Sequence, residues 1–96
     1  MPTKLISNRT LREFAALHPD AEQPLQDFRR NLERGRFGSF SALRSMFGSV
    51  DKVGSVCVFN IGGNKYRLVA AVDFVRQRVF VKAVMTHREY DKEAWK

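Results

Sequence analysis

Ninety-six residues, 44% of them hydrophobic, suffice for one core but not two, and the chain is too apolar to be disordered. Lys and Arg number 17 against 10 for Asp and Glu, a net charge of +7 with pI ≈ 10.2, which suits a polyanionic partner. No apolar run reaches the ~20 residues of a membrane helix. Met1–Asn8 lacks the apolar segment of a secretory signal, and one cysteine excludes an internal disulfide, so the expectation is one cytoplasmic domain, residues 1–96. The basic excess is even: eight basic against five acidic residues in 1–48, nine against five in 49–96, hence +3 and +4. A basic surface must therefore be assembled by folding.

In chain order, Lys4-Leu5-Ile6 predicts a short strand. Ser7 or Asn8 then caps a helix by accepting an orphan N–H. Leu11, Phe14, Ala15 and His18 mark one helical face, and His18 is a helix end because Pro19 disfavours helical geometry before it. Asp20 with Gln23 resembles a capping box for a second helix carrying Leu25, Phe28 and Leu32. Gly35 is expected to end it in a left-handed conformation, and the two helices to form an antiparallel hairpin. Ser39 caps a short helix that lays Phe40, Leu43, Met46 and Phe47 on the core. Gly48, Asp51 and Gly54 mark a loop.

From Ser55 the period becomes that of strands. Val56–Phe59, Tyr66–Phe74 and Val79–Val84 predict a three-stranded antiparallel meander, with turns at Gly62-Gly63-Asn64 and Arg76-Gln77-Arg78. Cys57 reads as a buried strand residue. In the middle strand Tyr66, Leu68, Ala70, Val72 and Phe74 share the face that meets the helices; Lys65, Arg67, Val69, Ala71 and Asp73 share the other. Alternation on the next strand puts Lys82 on a surface with Arg67. The fold class is α+β.

The last third holds the groups needed to cleave RNA without a metal: a base for the 2′-hydroxyl, an acid for the departing 5′-oxygen, and cations for the phosphorane. His87 has the suitable unperturbed pKa. Arg67 offers a planar fork to phosphate, and Lys65, Lys82 and Arg88 add positive potential. Tyr90 shares a face with His87 if Thr86 opens a helical turn, where it could stack on a base or donate a proton. Plainer roles compete: a cap for His87, solvated strand positions for Arg67 and Lys82, a packing contact for Tyr90, and a latch or partner contact for Trp95. Zinc spacing, a phosphate loop and a Gly-x-Ser-x-Gly elbow are absent from the sequence, and an Asp73–Asp91 carboxylate pair has no supporting features. The same basic surface also suits a noncatalytic RNA- or ribosome-binding module, or a protein-interaction subunit.

Val58-Phe59-Asn60-Ile61-Gly62-Gly63-Asn64-Lys65-Tyr66-Arg67-Leu68-Val69, with Val84-Met85-Thr86-His87-Arg88-Glu89-Tyr90-Asp91 one strand later, resembles the HigB family of type II toxins. The helical hairpin and the Phe40–Phe47 segment fit that family's order, so the resemblance spans nearly the whole chain. It implies a RelE-like domain, an N-terminal helical hairpin packed on a twisted, mainly antiparallel sheet. It also implies an mRNA interferase, an endoribonuclease that commonly acts on translating ribosomes, needs no cofactor and is neutralised by a HigA-like helix-turn-helix antitoxin. By the same resemblance Arg67 is the transition-state clamp, His87 the acid or base, and Tyr90 a stacking or proton-donating group. Asn64 and Lys65 then lie near the RNA path.

Overall fold

The computed structural model describes residues 3–6, 8–63 and 65–92. Its elements are β1 (Lys4–Ile6), α1 (Asn8–Leu17), a 3-10 turn (Pro19–Ala21), α2 (Glu22–Arg34), α3 (Phe40–Met46), β2 (Asp51–Val53), β3 (Val56–Ile61), β4 (Tyr66–Asp73), β5 (Arg78–Thr86) and α4 (His87–Asp91). The five strands form one sheet in the order β1-β5-β4-β3-β2. Three neighbouring pairs are antiparallel, and β1 runs parallel to β5. The expected α+β class and helical hairpin on a mainly antiparallel sheet are present.

One face of β4 meets the helices, as the alternation predicts. Tyr66, Leu68 and Ala70 join Leu11 of α1, Leu25, Phe28 and Leu32 of α2 and Leu43 of α3 in the main core, with Val72 and Phe74 packed against it. Phe59 lies at its centre, its ring centroid 4.8 Å from that of Phe28 and 5.4 Å from that of Phe47. These edge-on contacts add to the area each ring buries. On the other face Val58, Val69 and Met85 form a smaller cluster, against which Tyr90 packs.

Several local expectations are corrected. The Asp20–Gln23 box does not form. Ala21 is the N-cap of α2, with no side-chain cap bond, because the Asp20 carboxylate instead accepts the Tyr66 hydroxyl at 2.6 Å. Gly35 is extended (φ −96°, ψ 167°) rather than left-handed. A Cβ there would stand 2.6 Å from Cζ of Phe37, so close approach of that ring is what calls for glycine. Ser39 does cap α3, accepting the Ala42 N–H, and Leu43 and Phe47 reach the core. Met46 remains 51% exposed. The loop expected between Gly48 and Gly54 contains β2, whose Lys52 registers with Cys57 across a two-residue turn. Too few residues alternate in Asp51–Val53 for a strand to show in the sequence. The Ser7 cap lies outside the described residues.

The second hairpin turn occupies Phe74–Gln77, and Arg78 already belongs to β5. Gln77 has φ 56° and is buried. Its Oε1 accepts the Phe37 N–H at 2.7 Å and the Thr3 hydroxyl at 3.1 Å, and its Nε2 donates to the Phe37 and Phe74 carbonyls. Those bonds fasten the turn to the chain on either side of α2 and offset an unfavourable backbone conformation.

Candidate active site

The site grows from the open end of the β4–β5 hairpin. Gly62 and Gly63 take φ 63° and 70°, a region costly for residues with a Cβ, and so reverse the chain tightly from β3 into β4. Tyr66 then registers with Thr86, and Arg67 with Met85. This register brings the start of β4 beside the segment leaving β5. The His87 N–H continues the ladder, donating to the Lys65 carbonyl at 3.0 Å.

Thr86 ends the strand and starts α4. Its hydroxyl accepts the Glu89 N–H at 3.2 Å, and Glu89 Oε1 accepts the Thr86 N–H at 2.9 Å, a complete capping box. The bonds from the Thr86 backbone and side chain hold the Glu89 carboxyl below the usual carboxylate range, with His18 and Lys92 adding smaller effects in the same direction. The helical turn that lets His87 and Tyr90 share a face is therefore present.

Arg67 is only 9% exposed. Among its contacts, Nη1 donates to the Tyr66 carbonyl at 3.2 Å, and the guanidinium carbon lies 5.7 Å from the Tyr90 ring centroid, a cation–π distance. His87 keeps 41% of its side chain exposed while Nδ1 lies 2.8 Å from Oδ2 of Asp91, one helical turn on. Lys65 Nζ stands 3.6 Å from Asp20 Oδ2. The Tyr66 hydroxyl is the main cause of the low Asp20 pKa, ahead of Lys65, and the same bond pushes the Tyr66 phenol up. His18 stacks on Phe14 with centroids 4.5 Å apart and tilts toward Tyr66 at 5.6 Å. The end of α1 thus supports the start of β4.

Of the residues singled out by sequence, the hairpin gathers Lys65, Arg67, His87 and Tyr90, with Arg88 exposed on the same short helix. Lys82 is different. The register passes from Val69↔Ala83 to Ala70↔Val81, leaving Lys82 unpaired at a bulge, where simple alternation no longer applies. Asn64 and Trp95 lie outside the described residues. The Asp73–Asp91 pair does not form: Asp73 closes the far end of the hairpin opposite Arg78, and Asp91 faces His87. Asp20 and Asp91 were read from the sequence as a helix cap and a carboxylate partner; their actual partners, Tyr66 and His87, are what it missed. The four-residue spacing of His87 and Asp91 was a readable signal; the Asp20–Tyr66 bond, 46 residues apart, left none. Among the described residues no group of three or more His, Cys, Asp or Glu side chains is placed to hold a metal ion, and no helix is long and apolar enough to cross a membrane.

Residues 21–93 match the HigB toxin family, described as the RelE-like toxic component of a toxin–antitoxin system. The chain belongs to the HigB toxin family. An mRNA interferase toxin HigB of Escherichia coli strain K12 is 34% identical over 90 residues, 91% of this chain and 86% of the relative. An mRNA interferase HigB of Shigella flexneri matches to the same extent. Another, from Escherichia coli O6:H1, is 31% identical over 91 residues, 92% of this chain and 88% of the relative. As a HigB-family toxin, the chain has an antitoxin for a partner.

Proposed function

We propose that this HigB-family toxin is an endoribonuclease that cuts mRNA without a metal or other cofactor. The 2′-hydroxyl attacks the adjacent phosphate and leaves a cyclic 2′,3′-phosphate and a 5′-hydroxyl. Its relatives bear the name mRNA interferase. The observation that carries the reading is the juxtaposition at the mouth of one hairpin: Arg67 against Tyr90, on a helix whose first residue, His87, is bonded to the start of β4.

In this reading Arg67 clamps the phosphorane, and a buried guanidinium is the stronger for its low-dielectric setting. RNA reaches it as Tyr90 swings off the guanidinium, which frees that ring for a base or the leaving oxygen. His87, half exposed above, exchanges protons with the reacting oxygens. Asn64, Lys65, Lys82 and Arg88 hold the RNA backbone. The whole activity resides in the single domain 1–96, acts in the cytoplasm on mRNA at the ribosome, and is neutralised by a HigA-like helix-turn-helix protein.

Replacing His87 or Arg67 with Ala should slow cutting by about 100-fold or more. Arg67→Lys, which keeps the charge without the fork, should also be slow while folding normally. Products should carry cyclic phosphate ends, and EDTA should have no effect. Undiminished cutting by both alanine variants, or its abolition by EDTA, would refute the reading.

A further inference from the structure

The pairing of His87 with Asp91 has no part in the roles given so far. Nδ1 and Oδ2 are 2.8 Å apart, a distance for a charge-assisted hydrogen bond. A carboxylate only accepts, so the proton in that bond belongs to Nδ1. The neutral imidazole then carries its lone pair on Nε2. A carboxylate one helical turn away also limits rotation of the ring, because both residues stand on a helix whose start is fixed by the Thr86–Glu89 box. Among the described residues, the acidic side chains of Glu89 and Asp20 are engaged elsewhere, Glu89 with Thr86 and Asp20 with Tyr66 and Lys65.

We infer that Asp91 is a positioning residue that holds His87 as its Nδ1–H tautomer, making Nε2 the general base and leaving Tyr90 as the general acid. The inference rests on the ribonuclease reading and divides the acid and base roles within it. The 2′-hydroxyl proton passes to Nε2 as the O2′–P bond forms. The P–O5′ bond breaks, and the departing 5′-oxygen takes the Tyr90 hydroxyl proton. After product leaves, solvent takes the proton from His87 and returns one to the Tyr90 phenolate, so the enzyme is restored. The carboxylate does not take the proton itself; it orients the ring and stabilises the imidazolium.

The test combines spectroscopy with kinetics on the full chain. With ¹⁵N-labelled histidine, two-bond correlations distinguish the nitrogens of neutral His87, and loss of the signal in His87→Ala assigns it apart from His18. The wild type should show a protonated Nδ1 and a bare Nε2. Asp91→Asn should move the population toward Nε2–H, the ordinary preference of an exposed imidazole, and lower kcat by about 10–100-fold with KM nearly unchanged. Asp91→Glu should recover part of the loss. Predominant Nε2–H in the wild type, or an unchanged kcat in Asp91→Asn, overturns the assignment. The outcomes separate from those of the broader reading. No cutting by the wild type means that the ribonuclease reading fails; a fully active His87→Ala overturns the base assignment while the protein remains a ribonuclease, and an inactive His87→Ala with an unaffected Asp91→Asn overturns the positioning role alone.

Discussion

Thr86→Ala is expected to loosen α4 without unfolding the protein. None of the five residues of α4 is fully buried, so its start depends on the two reciprocal bonds between Thr86 and Glu89. Removing the hydroxyl deprives the Glu89 N–H of its acceptor, a change worth about 1 kcal/mol at a helix N-cap. With RT of about 0.6 kcal/mol, the Boltzmann factor for that loss is roughly fivefold in open population, if α4 opens as a local unit. Native-state hydrogen exchange reads this directly. The Lys92 amide, which donates to Arg88, and the His87 amide, which donates to Lys65, should lose about fivefold in protection. Amides of β3 and β4 should be unchanged, and Thr86→Ser should behave as wild type. The depressed Glu89 pKa gives the effect a pH signature. Its contribution is full above the ordinary carboxylate pKa of about 4.3 and is lost as pH falls through the lower folded value. Wild-type α4 protection should therefore decline in that acid range, and less so in the variant. Unchanged α4 exchange, or equal loss throughout the sheet, would refute the reasoning.

Phe59→Ala removes a fully buried ring touching Phe28 and Phe47 and should cost about 3–5 kcal/mol in urea denaturation. The Asp20–Tyr66 bond makes a second acid-range prediction. Because Asp20 is depressed, its stabilisation is present above about pH 4 and lost as pH falls through the folded value. Asp20→Asn should flatten that limb of a stability–pH curve. Cys57 is buried and its thiol is pushed up by desolvation. Iodoacetamide at about pH 8 should modify native protein at least tenfold more slowly than urea-unfolded protein.

What the sequence revealed follows from the range of each signal. Helix periodicity is local, so the stripes of Leu11 and Phe14 and of Leu25, Phe28 and Leu32 located α1 and α2. The Gly-Gly turn and the β-branched runs located the β3–β4–β5 meander. Asp20 misled because its spacing to Gln23 satisfies a local rule, while a hydroxyl distant in sequence competes for its carboxylate. Gly35 misled similarly, since an aromatic ring two residues on, not the backbone sign, requires it. For the site, Arg67, His87 and Tyr90 were legible as residue types beside a turn, but their proximity depends on the Tyr66↔Thr86 register. The bulge opposite Val69–Ala70 changes the phase of β5, and nothing in Val81-Lys82-Ala83 announces it.

The parallel pairing of β1 with β5 also bears on when the protein becomes dangerous to its maker. Lys4 is registered with Arg78, so the first strand made waits for nearly the last before it has a neighbour. Such distant closure carries a loop entropy that local helices do not. A nascent chain that has exposed only α1 and α2 has helical segments but neither sheet nor site. In the proposed site Arg67 and His87 meet only when β5 and α4 have emerged, so the activity proposed for it switches on with those elements rather than growing with the chain. That timing leaves an interval in which a partner already present could meet the toxin before it has acted.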